Sequence, residues 1–171
     1  EIFRGKPAPQ SVLEMGANIG RNLTALAQLF PEQKRTAIEI NQNAYLRLKK
    51  NTSVDEALWS SILDAKLAGT FDLVFCKGVL IHQDPDALPT VYAKIAELSA
   101  RYVLFIEYFS PTPVEVVYRG QHGKLFKRDF AGEFLDTHSN FTLVDYGFRY
   151  ERDPVHPLDN LTWFLMEKTQ L

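Results

Sequence analysis

A glycine-containing turn that follows a short apolar run is the strongest chemical signal in the sequence. The segment reads Val12-Leu13-Glu14-Met15-Gly16-Ala17-Asn18-Ile19-Gly20. Gly16 can adopt backbone angles that other residues avoid and lets a ligand approach the main chain, while Gly20 permits close packing of the following helix. The pattern predicts a nucleoside-binding turn, and its alternative is a turn that serves only strand-to-helix packing.

An acidic residue at the end of the second predicted strand supports the ligand-binding interpretation. Glu39 lies 19 residues after Gly20, where a carboxylate can accept hydrogen bonds from ribose hydroxyls. A residue at a strand end can also be a solvated charge. The glycine turn and Glu39 together favour a nucleotide site.

The residues around the turn bear on which nucleotide it holds. Asn18 stands where the dinucleotide pattern G-x-G-x-x-G has its middle glycine, and a pyrophosphate needs a glycine-rich turn at a helix N-terminus. Glu14 precedes the turn, and its carboxylate repels a pyrophosphate but suits the amino group of a methionine moiety. A dinucleotide and S-adenosylmethionine are both considered, and Glu14 favours the second.

The elements that must position these residues alternate between strand and helix periodicity. Strands are predicted at 11–15, 35–40, 57–61, 71–76 and 102–106, helices at 23–30, 44–50, 88–98 and 129–136, and terminal strands at 141–150 and 161–167. No helical stripe separates the last two strands, so direct pairing between them must be antiparallel. The sequence predicts an α/β, Rossmann-like fold with a mostly parallel seven-stranded sheet and an antiparallel terminal strand pair.

Composition limits the functional classes. The 171 residues are 46% hydrophobic and 23% charged with a net charge of −2, which suits one domain over 1–171 and gives no general attraction for nucleic acid or membranes. The single cysteine, Cys76, cannot form an internal disulfide, and no Cys or His spacing indicates a metal site. We expect a cytoplasmic protein. Because Glu1 opens the chain and a strand follows closely, we expect that the natural N-terminal segment is missing.

Three residues beyond the predicted strand ends are candidates for acting on an acceptor. His82 follows the strand that ends near Cys76, on the side where open α/β sheets bind ligands, and a neutral imidazole can take a proton from a hydroxyl. Its alternative role is a hydrogen bond to the backbone at a helix start. Glu107 and Tyr108 end the next strand; Glu107 either orients a substrate hydroxyl or binds a backbone amide.

An insertion over residues 109–128 interrupts the alternation, and we expect it to lie over one edge of the sheet. It contains Pro111, Pro113, Gly120 and Gly123, with aromatic and basic residues between them. Tyr118, Arg119 and Arg128 are candidates for binding the carboxylate or phosphate of an anionic acceptor. A solvated basic loop is the alternative.

The chemical residues resemble those of class I S-adenosylmethionine-dependent methyltransferases. The resemblance rests on the pattern E-x-G-x-x-x-G, the acid at Glu39 and the acid at Asp64 after the third strand. It implies that Asp64 accepts a hydrogen bond from the adenine amino group. The alternative for Asp64 is a helix cap or a surface charge.

Longer segments are similar to the pseudaminic acid biosynthesis-associated methylases, from about Ser11 to Lys168. They are Gly16-Ala17-Asn18-Ile19-Gly20, Ser61-Ile62-Leu63-Asp64, Phe71-Asp72-Leu73-Val74-Phe75 with Lys77-Gly78-Val79-Leu80-Ile81-His82, Tyr118-Arg119-Gly120, Lys124-Leu125-Phe126-Lys127-Arg128-Asp129-Phe130-Ala131-Gly132-Glu133, Asp145-Tyr146-Gly147 and Thr162-Trp163-Phe164.

This resemblance implies a methyl donor and an association with bacterial surface-sugar pathways. It adds Ala17, Asn18, Lys77 and Gly78 to the cofactor-binding residues. The predicted function is methyl transfer from S-adenosylmethionine to a small anionic, sugar-derived acceptor. The alternatives are a non-catalytic cofactor-binding or scaffold protein and a nicotinamide-dependent enzyme.

Overall fold

A seven-stranded sheet organises the protein, whose computed structural model describes residues 2–169. Its strands are β1 (Ser11–Met15), β2 (Lys34–Glu39), β3 (Glu56–Trp59), β4 (Phe71–Lys77), β5 (Ser99–Glu107), β8 (Phe141–Arg149) and β9 (Leu161–Lys168). Two further strands, β6 (Val114–Glu115) and β7 (Phe126–Lys127), form a separate two-stranded sheet. The large sheet has the order β3-β2-β1-β4-β5-β9-β8.

The strand directions confirm the predicted fold class. Strands β1 to β5 pair in parallel, whereas β9 pairs antiparallel with both β5 and β8. The chain leaves β1 towards β2 and β3 on one side and returns to β4 on the other. Ligands of open α/β sheets bind beyond the carboxyl ends of the strands at such a reversal, which places the glycine turn after β1 at the expected crevice.

Helices cover both faces of the sheet. They are α1 (Arg21–Leu29), α2 (Gln42–Leu48), α3 (Leu88–Leu98) and α4 (Phe130–Thr137), with short 3₁₀ turns at Leu80–His82 and Pro85–Ala87. Along β4, Val74 and Cys76 pack with α3 and α4, while Leu73 and Phe75 pack with α1 and α2. A strand buried on both faces is continuously apolar. No helix among residues 2–169 is long and apolar enough to span a bilayer.

The predicted elements are all present, with shifts at their ends. Strand β5 begins at Ser99 and ends at Glu107, and is longer than predicted because its polar ends also pair with neighbouring strands. Helix α2 begins at Gln42 rather than Ala44, because the Asn41 side chain accepts a hydrogen bond from the Ala44 amide at 3.0 Å and caps the first turn.

The insertion over residues 109–128 folds around the β6–β7 pair. Val114 pairs with Lys127 and Glu115 with Phe126. Leu125 is buried and belongs to the same apolar cluster as Leu80. The insertion is therefore attached to the turn that follows β4.

Phe134 of α4 provides a test of this core. The side chain is fully buried and makes ring contacts with Phe105 at 5.5 Å and Phe141 at 5.1 Å between centroids. We expect Phe134→Ala to lower the free energy of unfolding by about 3–5 kcal/mol, because it leaves a cavity. Phe148→Ala, at a side chain that is 58% exposed, is the control and should cost about 1 kcal/mol or less. Equal losses in denaturant unfolding would contradict this packing.

Candidate functional site

The glycine turn is held against the end of β2 and against the turn after β4. The amides of Gly16 and Ala17 donate to the Ile38 carbonyl oxygen at 2.9 and 3.0 Å. Gly16 has a φ of +76°, and a Cβ there would lie 2.6 Å from Cγ2 of Val79. Only glycine fits this close approach without strain.

Asn18 and Glu39 fix the outer half of the turn. Asn18 has a φ of +51°, a left-handed conformation that asparagine tolerates better than most residues with a side chain. Its amide donates to Oε2 of Glu39 at 2.7 Å, and the Asn41 amide donates to Oε1 at 2.7 Å. Each carboxylate oxygen keeps accepting capacity for a further donor.

A polar cavity of about 490 Å³ opens in front of the turn. Its wall is formed by residues 16–19 together with Arg21, Asn22, Arg47 and Lys77. Three of these four side chains carry a positive charge. The cavity therefore favours a ligand that presents at least one anionic group.

Glu14 lies buried behind this cavity and is only 1% exposed. Its Oε1 accepts a hydrogen bond from Nδ2 of Asn22 at 2.6 Å, and its buried Oε2 has no hydrogen-bond partner. Burial raises the pKa of Glu14 to about 8, and the charge of Glu39 adds to the rise, whereas the Asn22 hydrogen bond and the charge of Lys77 oppose it. A cationic donor from a ligand would satisfy the free oxygen.

Asp64 follows the end of β3, next to the strand that carries Glu39. The Ser61 hydroxyl donates to Oδ2 of Asp64 at 2.5 Å, and the Asp64 amide donates back to that hydroxyl at 3.1 Å. Asp64 is exposed and does not line the polar cavity described above. Gly78, also predicted to bind the cofactor, has a φ of +65°. Its amide donates a hydrogen bond to the Ile106 carbonyl oxygen at 3.0 Å and so links β4 to β5.

His82 lines a second cavity together with the predicted substrate-binding residues Tyr118 and Arg119. This cavity has a volume of about 360 Å³, and Gln121 and Lys124 complete its wall. Nδ1 of His82 lies 2.7 Å from the Lys124 carbonyl oxygen. Because a carbonyl only accepts, Nδ1 carries the proton in the neutral ring and Nε2 is left as the basic nitrogen.

Glu107 is buried at the end of β5 and binds the turn after β4. Its Oε1 accepts hydrogen bonds from the amides of Val79 at 2.9 Å and Leu80 at 3.0 Å, while its buried Oε2 has no partner. Burial raises the pKa of Glu107 to about 7 against the opposing effect of these amides. Of its two predicted roles, this geometry matches the hydrogen bond to backbone amides.

Tyr108 and Arg128 do not line the His82 cavity, and with Glu107 they line a small pocket beside Phe164. The Tyr108 hydroxyl donates to Oδ2 of Asp159 at 3.2 Å. Nε of Arg128 donates to Oε1 of Glu133 at 2.7 Å, and the Tyr92 hydroxyl donates to the other oxygen of that carboxylate at 2.9 Å. The structure therefore does not bring Arg128 together with Arg119, and its role in acceptor binding stays a prediction.

Asn22 was not identified from the sequence, although it contacts both Glu14 and Lys77. Its position in the first turn of α1, two residues after Gly20, is the available signal. Arg21 and Arg47 were also missed, because a positive charge on an amphipathic helix is typical of an exposed face.

The site combines a glycine turn at the reversal point of a parallel sheet with an acid at the end of β2 and a buried acid before the turn. This combination is typical of nucleoside-binding α/β proteins. Residues 12–101, more than half of the chain, match the family described as a methyltransferase domain. The chain therefore belongs to the methyltransferase domain family, and it is an S-adenosylmethionine-dependent methyltransferase of class I. No curated protein matches the chain.

Similar folds occur in solved methyltransferase structures. A 1,6-didemethyltoxoflavin-N1-methyltransferase of Burkholderia thailandensis, solved with S-adenosylhomocysteine, has a TM-score of 0.74 and 22% identity over 99% of this chain and 74% of that one. The N-methyltransferase NodS of Bradyrhizobium japonicum has a TM-score of 0.71 and 17% identity over 99% and 91%. A magnesium protoporphyrin IX methyltransferase of Synechocystis, solved with S-adenosylmethionine, has a TM-score of 0.68 and 16% identity over 98% and 74%.

The residues of the site fit the cofactor S-adenosylmethionine. The free buried oxygen of Glu14 suits an ammonium group, and the cationic wall of the cavity suits a carboxylate. The amino-acid end of this cofactor carries both groups. Glu39 retains accepting capacity for ribose hydroxyls.

Cofactor binding should release a proton from Glu14. At pH 7 a carboxyl group whose pKa is about 8 is mostly protonated, and a bound ammonium would lower that pKa, so up to about one proton should leave. The affinity for S-adenosylhomocysteine should consequently increase as the pH rises towards 8. Calorimetry in buffers of different ionisation enthalpy measures this proton. Glu14→Gln should abolish the release, and an unchanged release in that variant would assign the proton to another group.

Proposed function

We propose that this methyltransferase acts on a hydroxyl group of a small anionic, sugar-derived acceptor in a cytoplasmic step of a surface-glycan pathway. The observation that carries the proposal is the cavity where the imidazole of His82 lies with Arg119 and Lys124. A base and two cationic residues in one cavity suit an acceptor that has both a hydroxyl and an anionic group. The resemblance to pseudaminic acid biosynthesis-associated methylases supports a sugar acid or a nucleotide-linked sugar.

The cofactor-binding residues in this proposal surround the glycine turn. Glu14 receives the amino group, the turn supports the methionine moiety, Glu39 receives the ribose hydroxyls and Asp64 receives the adenine amino group. The complete set is Glu14, Gly16, Ala17, Asn18, Gly20, Glu39, Asp64, Lys77 and Gly78. The exposed side chains of Ile40 and Trp59 flank Glu39 and offer an apolar surface for the adenine ring.

The turn after β4 joins the cofactor site to the acceptor site. The side chain of Val79 lies against Gly16, and the His82 amide donates to the Val79 carbonyl at 3.0 Å. The proposed base, His82, therefore lies only three positions after the residue that contacts the cofactor turn. This short connection supports His82 as the residue next to the reacting hydroxyl.

The proposed reaction is an in-line displacement. When bound, S-adenosylmethionine supplies a methyl group activated by its sulfonium. The protein contributes mainly by holding the two reactants close and aligned. Nε2 of His82 accepts the hydroxyl proton while the hydrogen bond from Nδ1 to the Lys124 carbonyl keeps the ring in the required tautomer.

The acceptor's anionic group is assigned to Arg119. The φ of +50° at this residue and the φ of +77° at Gly120 form a two-residue hairpin turn between the paired residues Tyr118 and Gln121, which presents the Arg119 side chain at the tip. Its guanidinium carbon lies 5.1 Å from the centre of the Tyr118 ring, which restricts its motion. The planar guanidinium can then bind a carboxylate or phosphate through two parallel hydrogen bonds.

A metabolite extract of a surface-sugar pathway, incubated with the protein and S-adenosylmethionine, tests the function. We expect mass spectrometry to find an anionic species heavier by one methylene unit. His82→Ala should lower kcat by roughly 10²–10⁴-fold because it removes the base. His156→Ala, at an exposed histidine of the 151–160 segment, is the control. Cofactor binding without turnover on any extract would favour a non-catalytic scaffold role. Full activity of His82→Ala would show that His82 is not the general base.

Arg119→Lys tests the nature of the acceptor. Lysine keeps the charge but loses the forked geometry, so we expect KM for the acceptor to rise at least several-fold with little change in cofactor affinity. Arg152→Lys, at an exposed arginine, is the matched control. Steady-state kinetics with a saturating cofactor measure the effect. Unchanged acceptor kinetics in Arg119→Lys would show that the insertion only packs against the fold.

A further inference from the structure

Asn22 lines the polar cavity and lies between the acid Glu14 and the ammonium of Lys77. Its Nδ2 donates to Oε1 of Glu14 at 2.6 Å, and its Oδ1 accepts from Nζ of Lys77 at 3.2 Å. The ion pairs found among the described residues do not include one between Glu14 and Lys77. The asparagine amide therefore lies between the two groups and hydrogen-bonds to both.

The amide is suited to this position because it has a donor at one end and an acceptor at the other. An ionised aspartate has no donor for Glu14, and an aliphatic residue would hydrogen-bond to neither neighbour. The arrangement leaves Oε2 of Glu14 buried and without a partner. It also keeps the Lys77 ammonium in the wall of the polar cavity.

We propose that Asn22 is a positioning residue that holds Glu14 and Lys77 apart, so that they bind the ammonium and the carboxylate at the amino-acid end of the cofactor. The three residues are called the Glu14–Asn22–Lys77 relay below. The inference rests on S-adenosylmethionine as the cofactor and adds a positioning residue to its binding site. Asn22 acts through its two neighbours and is not assigned a contact with the cofactor.

The consequence of losing Asn22 follows from the charges. Without the amide, the Lys77 ammonium is free to move to Glu14, because a nearby positive charge lowers the pKa of this acid and stabilises its carboxylate. Lysine would then occupy the place of the ligand's ammonium and would no longer be available for its carboxylate. Both contacts with the amino-acid end would weaken, while the nucleoside end of the site would stay unchanged.

Two ligands that differ only at the amino-acid end separate this role from a structural one. S-adenosylhomocysteine carries the ammonium and the carboxylate, whereas 5′-methylthioadenosine has the same nucleoside and lacks both. We expect Asn22→Leu to weaken S-adenosylhomocysteine binding by at least about tenfold, because charge-assisted hydrogen bonds are lost. The affinity for 5′-methylthioadenosine should stay within about twofold. Gln28→Leu, an amide-to-leucine change at an exposed site of α1, is the matched control and should change neither affinity.

Lys77→Met and the double variant complete the experiment by calorimetry. Because methionine cannot pair with Glu14, the double variant should bind S-adenosylhomocysteine more tightly than Asn22→Leu alone. If Asn22→Leu does not fold, Asn22→Ala, which also lacks the amide, replaces it in the same comparison, and an equal loss for both ligands contradicts the relay.

The remaining outcomes separate the role of Asn22 from the assignment of the cofactor. Equal weakening of both ligands by Asn22→Leu, or additive losses in the double variant, would overturn the relay and leave the cofactor assignment intact. A wild-type protein that bound neither ligand would overturn the cofactor assignment and the relay together.

Discussion

The buried carboxylate of Glu107 is the contact on which the arrangement of both cavities depends. It accepts hydrogen bonds from the amides of Val79 and Leu80 and so fixes the turn that leaves β4. Val79 packs against Gly16 at the cofactor turn, and His82 at the end of the same turn binds the Lys124 carbonyl of the insertion. A displacement of this turn would therefore move the cofactor side and the acceptor side together. Because the two cavities share this turn, a substitution that moves it should alter both cavities at once.

The topology explains why one short turn can serve both cavities. Strands β1 and β4 are neighbours in the sheet although β2 and β3 lie between them in the chain. The carboxyl ends of parallel neighbours emerge at the same edge, so the turns after β1 and β4 must meet there. The next strand, β5, ends at Glu107 beside them. The sheet thus supplies the geometry, and three local features supply the chemistry: a glycine, a buried acid and a histidine.

Much of this framework could be predicted from the sequence, because local patterns determine it. The apolar run of β4, the helical stripe of α3 and the glycine turn each involve residues close together in the chain. Glu39 was identified by its spacing from Gly20, and its backbone contact with Asn18 is compatible with that assignment. Contacts between distant residues were not predictable. The hydrogen bond between His82 and the Lys124 carbonyl oxygen spans 42 residues. The hydrogen bond from the Tyr92 hydroxyl to Glu133, the partner of Arg128, spans 41 residues. Asn22 was missed because its importance lies in two partners from different strands.

Two buried acids with raised pKa values indicate a conflict between folding and function. The pKa is about 8 for Glu14 and about 7 for Glu107, both above their ordinary value of 4.5. A carboxyl group whose pKa is raised by folding contributes its full stability below the unfolded value, and that contribution is lost as the pH rises through the folded value. Near neutral pH the protein therefore retains these acids at a cost to stability, which neutral residues of the same shape would avoid. Glu107 recovers part of that cost through two backbone hydrogen bonds. Glu14 has a single hydrogen bond, donated by the side chain of Asn22, so the larger pKa shift lies at the acid that we propose to bind the ammonium of the ligand.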